Sequence, residues 1–281
     1  MTFVDLHVHT TYSDGRLEPA RMVEEAARLG LQSIAITDHD VLSGLEEARD
    51  AGQRFGVEVV AGIELSADWD GRPAHILGYF VDPANEVLNA ALDRARSAMG
   101  EHVRSVLEAA REYGDAIDEE ALGKYRGRYL SGAALVLGMV EQGILRRSPH
   151  ARALLLKAAR EPRSYSVQEA IQIVHAAGGI ASLAHPVRLR RATPLLEAAD
   201  LAPLVEAGLD GIEVWQIVQG SEAREHYLQV ADQTALLPTG GSDCHGPRKQ
   251  GMRLGSQRVP RWVLSEMRRR WRELGALPDR T

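Results

Sequence analysis

The sequence predicts an α/β protein close to a small (β/α) TIM-like barrel, carrying a helical insertion. Short, fully apolar runs alternate with stretches of helical periodicity, the pattern of a sheet covered by helices. About seven such units fit in 281 residues, a natural length for one elaborated domain. The alternation lapses once, between about Asn85 and Arg160, where no strand interrupts a run of helices.

The first strand is "FVDLHV", and "EPARMVEEAARLG" follows as a helix opened by Pro19 and closed by Gly30. "SIAITDH" is a second apolar strand and "GLEEARDAGQRFG" a second helix. "VEVVAGIELSA" and "AHILGYFV" read as strands, and the alternation as a whole indicates a parallel sheet. The long stretch "EVLNAALDRARSAMGEHVRSVLEAAREYG" then begins a helical region with "GAALVLGMVEQG" and "HARALLLKAAR". The alternation resumes with the helix "SVQEAIQIVHAAGG" and the strand "IASLAHP". "LAPLVEAG" with "DGIEVW", and "SEAREHYLQVADQ" with "LLPTGGSDCH", repeat it before the closing helix "RWVLSEMRRRWREL". The barrel is therefore assigned to residues 1–97 and 165–281, and the insertion, a cap over the substrate, to residues 98–164.

Composition narrows the function. A hydrophobic content of 44% supplies a core, and no apolar run is long enough to span a bilayer. The start "MTFVDLHVH" lacks a basic region followed by an apolar one, so no secretory signal is expected, and the single cysteine, Cys244, fits a reducing cytoplasm. A net charge of −6 argues against a coat for long nucleic acid. That charge is uneven: Lys124 to Arg163 carries +7 and the remainder −13, which makes the insertion a candidate anion-attracting surface.

The polar residues gather at strand ends. His7 and His9 lie two apart and share one face of their strand, and Asp14 follows in a Ser-Asp-Gly turn able to fold back over it. Asp38, His39 and Asp40 end the second strand, Glu64 lies in "GIEL", and His75 opens "HILGYF". His185 ends "ASLAHP", and Asp243 and His245 lie in "GGSDCHG". Six of the ten histidines thus fall where a (β/α) barrel keeps its functional groups. Unpaired imidazoles and acids in a barrel mouth are costly without cations. Nine donors exceed the needs of one ion, so two or three ions are expected, with Glu64 as a bridging carboxylate. Mixed imidazole and carboxylate ligation suits manganese, zinc or iron better than calcium.

The motifs "DLHVHTTYSDG", "ITDHD", "GIELS", "HILGYF", "LAHP" and "GGSDCHG" resemble, in kind and order, the polymerase and histidinol phosphatase (PHP) family. The resemblance spans the first strand to about Gly246 and implies a distorted seven-stranded (β/α) TIM-like barrel with a trinuclear metal centre that hydrolyses phosphoesters. Carried over by position, the ligands are His7, His9, Asp14, His39, Glu64, His75, His185, Asp243 and His245, with Asp38 and Asp40 orienting His39. Three divalent ions are expected, Mn2+ ahead of Zn2+ or Fe2+. A metal-bound hydroxide held by Glu64, Asp14 and Asp243 would attack phosphorus in line. Within the family the chain is most similar to the free-standing nucleoside 3′,5′-bisphosphate phosphatases, some of which trim short RNA from its 5′ end. Relatives there carry an Arg-Pro-His-Phe-like stretch in the insertion, whereas this chain has "RYLSG", so the arginine is matched and the histidine is not. Arg128, Arg163 and Arg188 are the candidates to clamp a second substrate phosphate. The expected substrate is small and phosphorylated. Histidinol phosphate is the alternative substrate, which the basic insertion disfavours, and a non-catalytic scaffold or polymerase accessory module is the alternative role. The oligomeric state is left open.

Overall fold

The structure is a computed structural model that describes residues 2–119, 122, 132–189, 195–247 and 251–275. Strand β1 (Phe3–Val8) alternates as its sequence dictates: Val4 and Leu6 join the main apolar core, while Asp5 and His7 turn to the polar interior. Helix α1 (Pro19–Arg28) starts on Pro19 and leads to β2 (Ser33–Ile36), α2 (Leu45–Phe55), β3 (Glu58–Trp69) and β4 (Arg72–Tyr79). Helix α3 (Glu86–Glu112), capped by the Asn85 side chain on Leu88 N–H, opens the helical region. After it come α4 (Gly132–Glu141), α5 (Ile144–Arg147) and α6 (Ala151–Ala158). The barrel resumes with β5 (Tyr165–Ser166), α7 (Val167–Ala176), β6 (Ile180–Leu183) and a 3-10 turn at Pro186–Leu189. It ends with α8 (Ala198–Glu206), β7 (Gly211–Trp215), α9 (Ser221–Thr234), β8 (Leu237–Gly240), β9 (Val259–Pro260) and α10 (Arg261–Glu273).

Seven strands follow one another as β1-β2-β3-β4-β6-β7-β8, with β9 beyond β1 and β5 beside the end of β3. The sheet is a nearly closed barrel. Closure is made past the end of β8, where His9 N–H donates to Cys244 O at 2.9 Å and Ser242 N–H to Asp5 Oδ1 at 2.8 Å. Gly241 permits it: a Cβ there would lie 2.3 Å from the His7 backbone nitrogen.

The expectation of a parallel sheet is corrected at two strands: the two-residue β9 pairs antiparallel with β1, and one strand within the barrel is reversed. β4 runs antiparallel to both neighbours, β3 and β6. The cause is a two-residue hairpin, Asp70-Gly71, with φ +51° and +77°, which turns the chain straight back. The consequence is functional. A reversed strand presents its amino-terminal part to the mouth, so His75 arrives beside groups that follow the carboxyl ends of the other strands.

α3 is long enough to serve two cores. Leu88, Ala91, Leu92 and Ala95 pack on the barrel, while Met99, Val103, Val106 and Leu107 enter a separate apolar cluster with Leu135, Met139 and Leu154. Among the described residues, no helix is long and apolar enough to cross a membrane.

Candidate metal centre

The site begins with the period of β1. Asp5, His7 and His9 share a face, and all three are buried. The loop after β1 folds back as its turn residues suggest, and Asp38 pins it by accepting from Thr10 N–H at 2.7 Å, Thr10 Oγ1 at 2.6 Å and Ser13 Oγ at 2.6 Å. Asp14 thereby comes within 3.2 Å of His245 Nε2 and 3.7 Å of His9 Nδ1.

Glu64 is the hub. Its Oε2 lies 3.0 Å from His7 Nε2, 3.1 Å from His9 Nε2 and 3.5 Å from His39 Nδ1. Its Oε1 lies 2.8 Å from His75 Nδ1 and 3.0 Å from His185 Nε2. Asp243 Oδ1 completes the far side, 3.4 Å from His9 Nε2, 3.5 Å from His245 Nδ1 and 3.7 Å from His7 Nε2. The nine residues singled out in the sequence thus converge, from β1, β3, β4 and the segments after β1, β2, β6 and β8.

These residues suit metal ions. Imidazole nitrogens face each other, His7 Nε2 to His9 Nε2 at 3.1 Å and His75 Nδ1 to His185 Nε2 at 3.2 Å. His9 Nδ1, His39 Nδ1 and His185 Nδ1 are buried without a hydrogen-bond partner. Such crowding of lone pairs is unfavourable until cations fill it. Three donor groups each have their ligand atoms within 4.8 Å of one another: His9, Asp14, His39 and His245; His7, His9 and Asp243; and His39, Glu64 and His75.

The electrostatics agree. Burial works against a charged His9, yet hydrogen bonding to Asp243 and Glu64 outweighs it and lifts the imidazole to about 10. His7 is likewise held well above its usual range, burial being overcome by Glu64, Glu213 and Asp243. His39, where burial wins, is pushed down to about 3. Burial would raise the Glu64 carboxyl, but His7, His39 and His75 hold it well below the ordinary range. The cluster therefore demands positive charge, which protons or divalent ions can supply.

The outer residues depart from expectation. Asp38 holds the Thr10–Ser13 loop, and Asp40 accepts from Ser66 N–H at 3.0 Å, so both secure backbone beside the ligands rather than the His39 ring. Arg188 reaches the mouth and donates to Asp243 Oδ2 at 2.9 Å. Arg163 is paired with Asp68 at 2.7 Å, near the end of β3. Arg128 lies outside the described residues. His102 and His226, half-buried, face Ala158 O and Leu196 O, and His150, exposed, stacks on the Tyr113 ring. Sequence reasoning missed Glu213, wholly buried in β7 and 3.0 Å from His7 Nδ1, and Gln216, whose amide donates to Asp243 Oδ2 at 3.2 Å. The one signal for Glu213 was a lone carboxylate inside the apolar run "GIEVW".

A barrel whose mouth gathers six histidines and three carboxylates defines a metal-dependent hydrolase, and comparison with known proteins agrees. The PHP domain model matches residues 5–174, and the chain belongs to that family. It is similar to the 3′,5′-nucleoside bisphosphate phosphatase of Chromobacterium violaceum, 29% identical over 268 residues covering 91% of each chain. It is also similar to the phosphoribosyl 1,2-cyclic phosphate 1,2-diphosphodiesterase of Eggerthella lenta, 34% identical over 259 residues covering 86% of this chain and 94% of that one. A solved structure from Bifidobacterium adolescentis, described as a candidate metal-dependent phosphoesterase, matches with a TM-score of 0.80, 29% identity and 96% coverage of both chains. The chain is an enzyme of the metal-dependent phosphoesterase class.

Proposed function

We propose that the protein removes the 3′-phosphate of nucleoside 3′,5′-bisphosphates, leaving the 5′-monophosphate and inorganic phosphate. One observation carries the reading: a buried carboxylate, Glu64, stands 2.8–3.5 Å from five imidazoles at the barrel mouth. His7, His9, Asp14, His39, Glu64, His75, His185, Asp243 and His245 would hold three divalent ions, Mn2+ ahead of Zn2+ or Fe2+. Bound there, such ions neutralise phosphoryl oxygens and lower the pKa of coordinated water. The residues supply the rest. Glu64, reaching imidazoles on both sides, fixes the spacing of the cluster, while Asp14 and Asp243 set its outer edge. Arg188, half-exposed beside Asp243, is placed to take the phosphate that is not hydrolysed, where its fork suits a phosphate dianion. Residues 98–164 form the cap, and their basic stretch, including Arg128 and Arg163, draws the substrate in.

The Eggerthella lenta relative sets the second reading, a cyclic phosphodiester of a phosphorylated sugar. Protein stripped of metal and reloaded with Mn2+ should be assayed on 3′,5′-bisphosphates, matching monophosphates, a ribosyl 1,2-cyclic phosphate, histidinol phosphate and short 5′-phosphorylated RNA. The expected result is the highest kcat/KM on the bisphosphate, with activity lost on chelation. A higher kcat/KM on the cyclic ester would move the assignment there, and no hydrolysis of any ester would end it.

A further inference from the structure

Glu213 has a place at the site that its wholly buried position in β7 does not by itself require. Its Oε1 lies 3.0 Å from His7 Nδ1, and its Oε2 accepts from the main-chain N–H of His185 at 2.6 Å. Both partners are donors when His7 carries its ring proton on Nδ1, and that tautomer leaves the Nε2 lone pair facing Glu64 and His9. The second contact bears on backbone. His185 has φ +29°, a left-handed conformation that a non-glycine residue holds only where its surroundings impose it. Ala184 N–H donates to His75 O on one side, and Glu213 takes the His185 N–H on the other, so the imidazole is aimed at Glu64 and His75.

We infer that Glu213 is a positioning residue that orients two ligands at once: it selects the His7 tautomer that binds metal through Nε2, and it fixes the backbone from which His185 reaches the cluster. This rests on the metal-centre reading given above. The chemistry requires two acceptors on one side chain. In Glu213→Gln the amide nitrogen must face one of two donors, either releasing the His185 backbone or driving the His7 proton onto Nε2, where it blocks the metal.

The test uses the Zn2+-loaded protein with 15N-labelled histidine, because Zn2+ is diamagnetic. The wild type should show a protected Nδ1–H for His7 with metal on Nε2, and the Glu213→Gln variant should lose that proton signal. Zn2+ affinity of the variant should fall by about 10–100-fold, the range for partners that orient metal-bound histidines. Ser182→Ala, which removes another buried polar contact from the barrel interior (Ser182 Oγ to Thr239 Oγ1, 2.7 Å), should leave the affinity unchanged. Equal affinity in Glu213→Gln and wild type would overturn the inference, as would an equal loss in Ser182→Ala. If Glu213→Gln does not fold, the wild-type spectrum still decides, since metal on His7 Nδ1 would refute the tautomer assignment. A wild type that takes up no metal would instead overturn the metal-centre reading.

Discussion

Two histidine–carboxylate pairs meet the same strand three residues apart and have opposite fates. Just before β7, Asp210 holds His175 Nε2 at 2.9 Å; within the strand, Glu213 holds His7 Nδ1 at 3.0 Å. Distance does not separate them. Asp210 is closed off: it also accepts Ala181 N–H at 2.9 Å and has Arg270 3.6 Å away, and the His175 ring is 32% exposed to water. His7 is wholly buried, and its second nitrogen points into a carboxylate that four more imidazoles share. A pair whose valences are satisfied locally is structure. A site arises where several such pairs leave donors converging on the same space.

The largest effect should come from breaking that convergence. Glu64→Ala removes the one carboxylate common to five imidazoles, and should lower metal affinity by more than about 100-fold, above the range for an orienting partner. kcat should collapse with it while the protein remains folded, and Glu64→Asp should fall between. Metal analysis of the purified variants, with circular dichroism as the folding control, decides the matter. A Glu64→Ala protein with normal metal content and turnover would remove Glu64 from the centre of the site.

A smaller effect should separate the arginines. Arg188 touches Asp243 at the mouth, so Arg188→Ala should cost about 1.5–3 kcal/mol in kcat/KM on a 3′,5′-bisphosphate. Loss on the matching monophosphate should be smaller. Arg163 is tied up with Asp68, both about one-third exposed, so Arg163→Ala should cost less than about 1 kcal/mol. Equal losses on bisphosphate and monophosphate would eliminate the clamp. His175→Ala acts on stability instead: it should lower it by about 1 kcal/mol and leave metal binding untouched. If it unloads metal, the two pairs are coupled through β7 and the contrast between them fails.

How far the sequence could be read follows from the range of each interaction. The bounds of β1 and the shared face of His7 and His9 depend on a period of two, a local property. Asp14 folds back because a Ser-Asp-Gly turn makes it do so. The direction of β4 was also written locally, in Asp70-Gly71, but the parallel alternation elsewhere masked it. Asp38 and Glu213 were out of reach for another reason. Their partners lie 25 to 28 and 28 to 206 residues away, and no periodicity reveals which distant donor a buried carboxylate will meet. Asp38 was assigned to its sequence neighbour His39, whereas the fold gives it to the loop after β1.

The effect most remote from the site asks whether the turn or the sheet places His75. Gly71 has φ +77° and open space where a Cβ would go, so Gly71→Ala introduces backbone strain and no clash. The expected cost is about 1 kcal/mol, read as a lower denaturant midpoint at constant slope. Metal affinity should not change, because His75 is held by more than the hairpin. It pairs with Ser66 on β3, and its carbonyl accepts Ala184 N–H at 3.0 Å just beyond β6, so strands on both sides fix its register. Weaker metal binding in Gly71→Ala would mean that the hairpin sets the ligand's position directly. Unchanged binding with the expected loss of stability would assign that role to the sheet, leaving the turn responsible only for the direction of the strand.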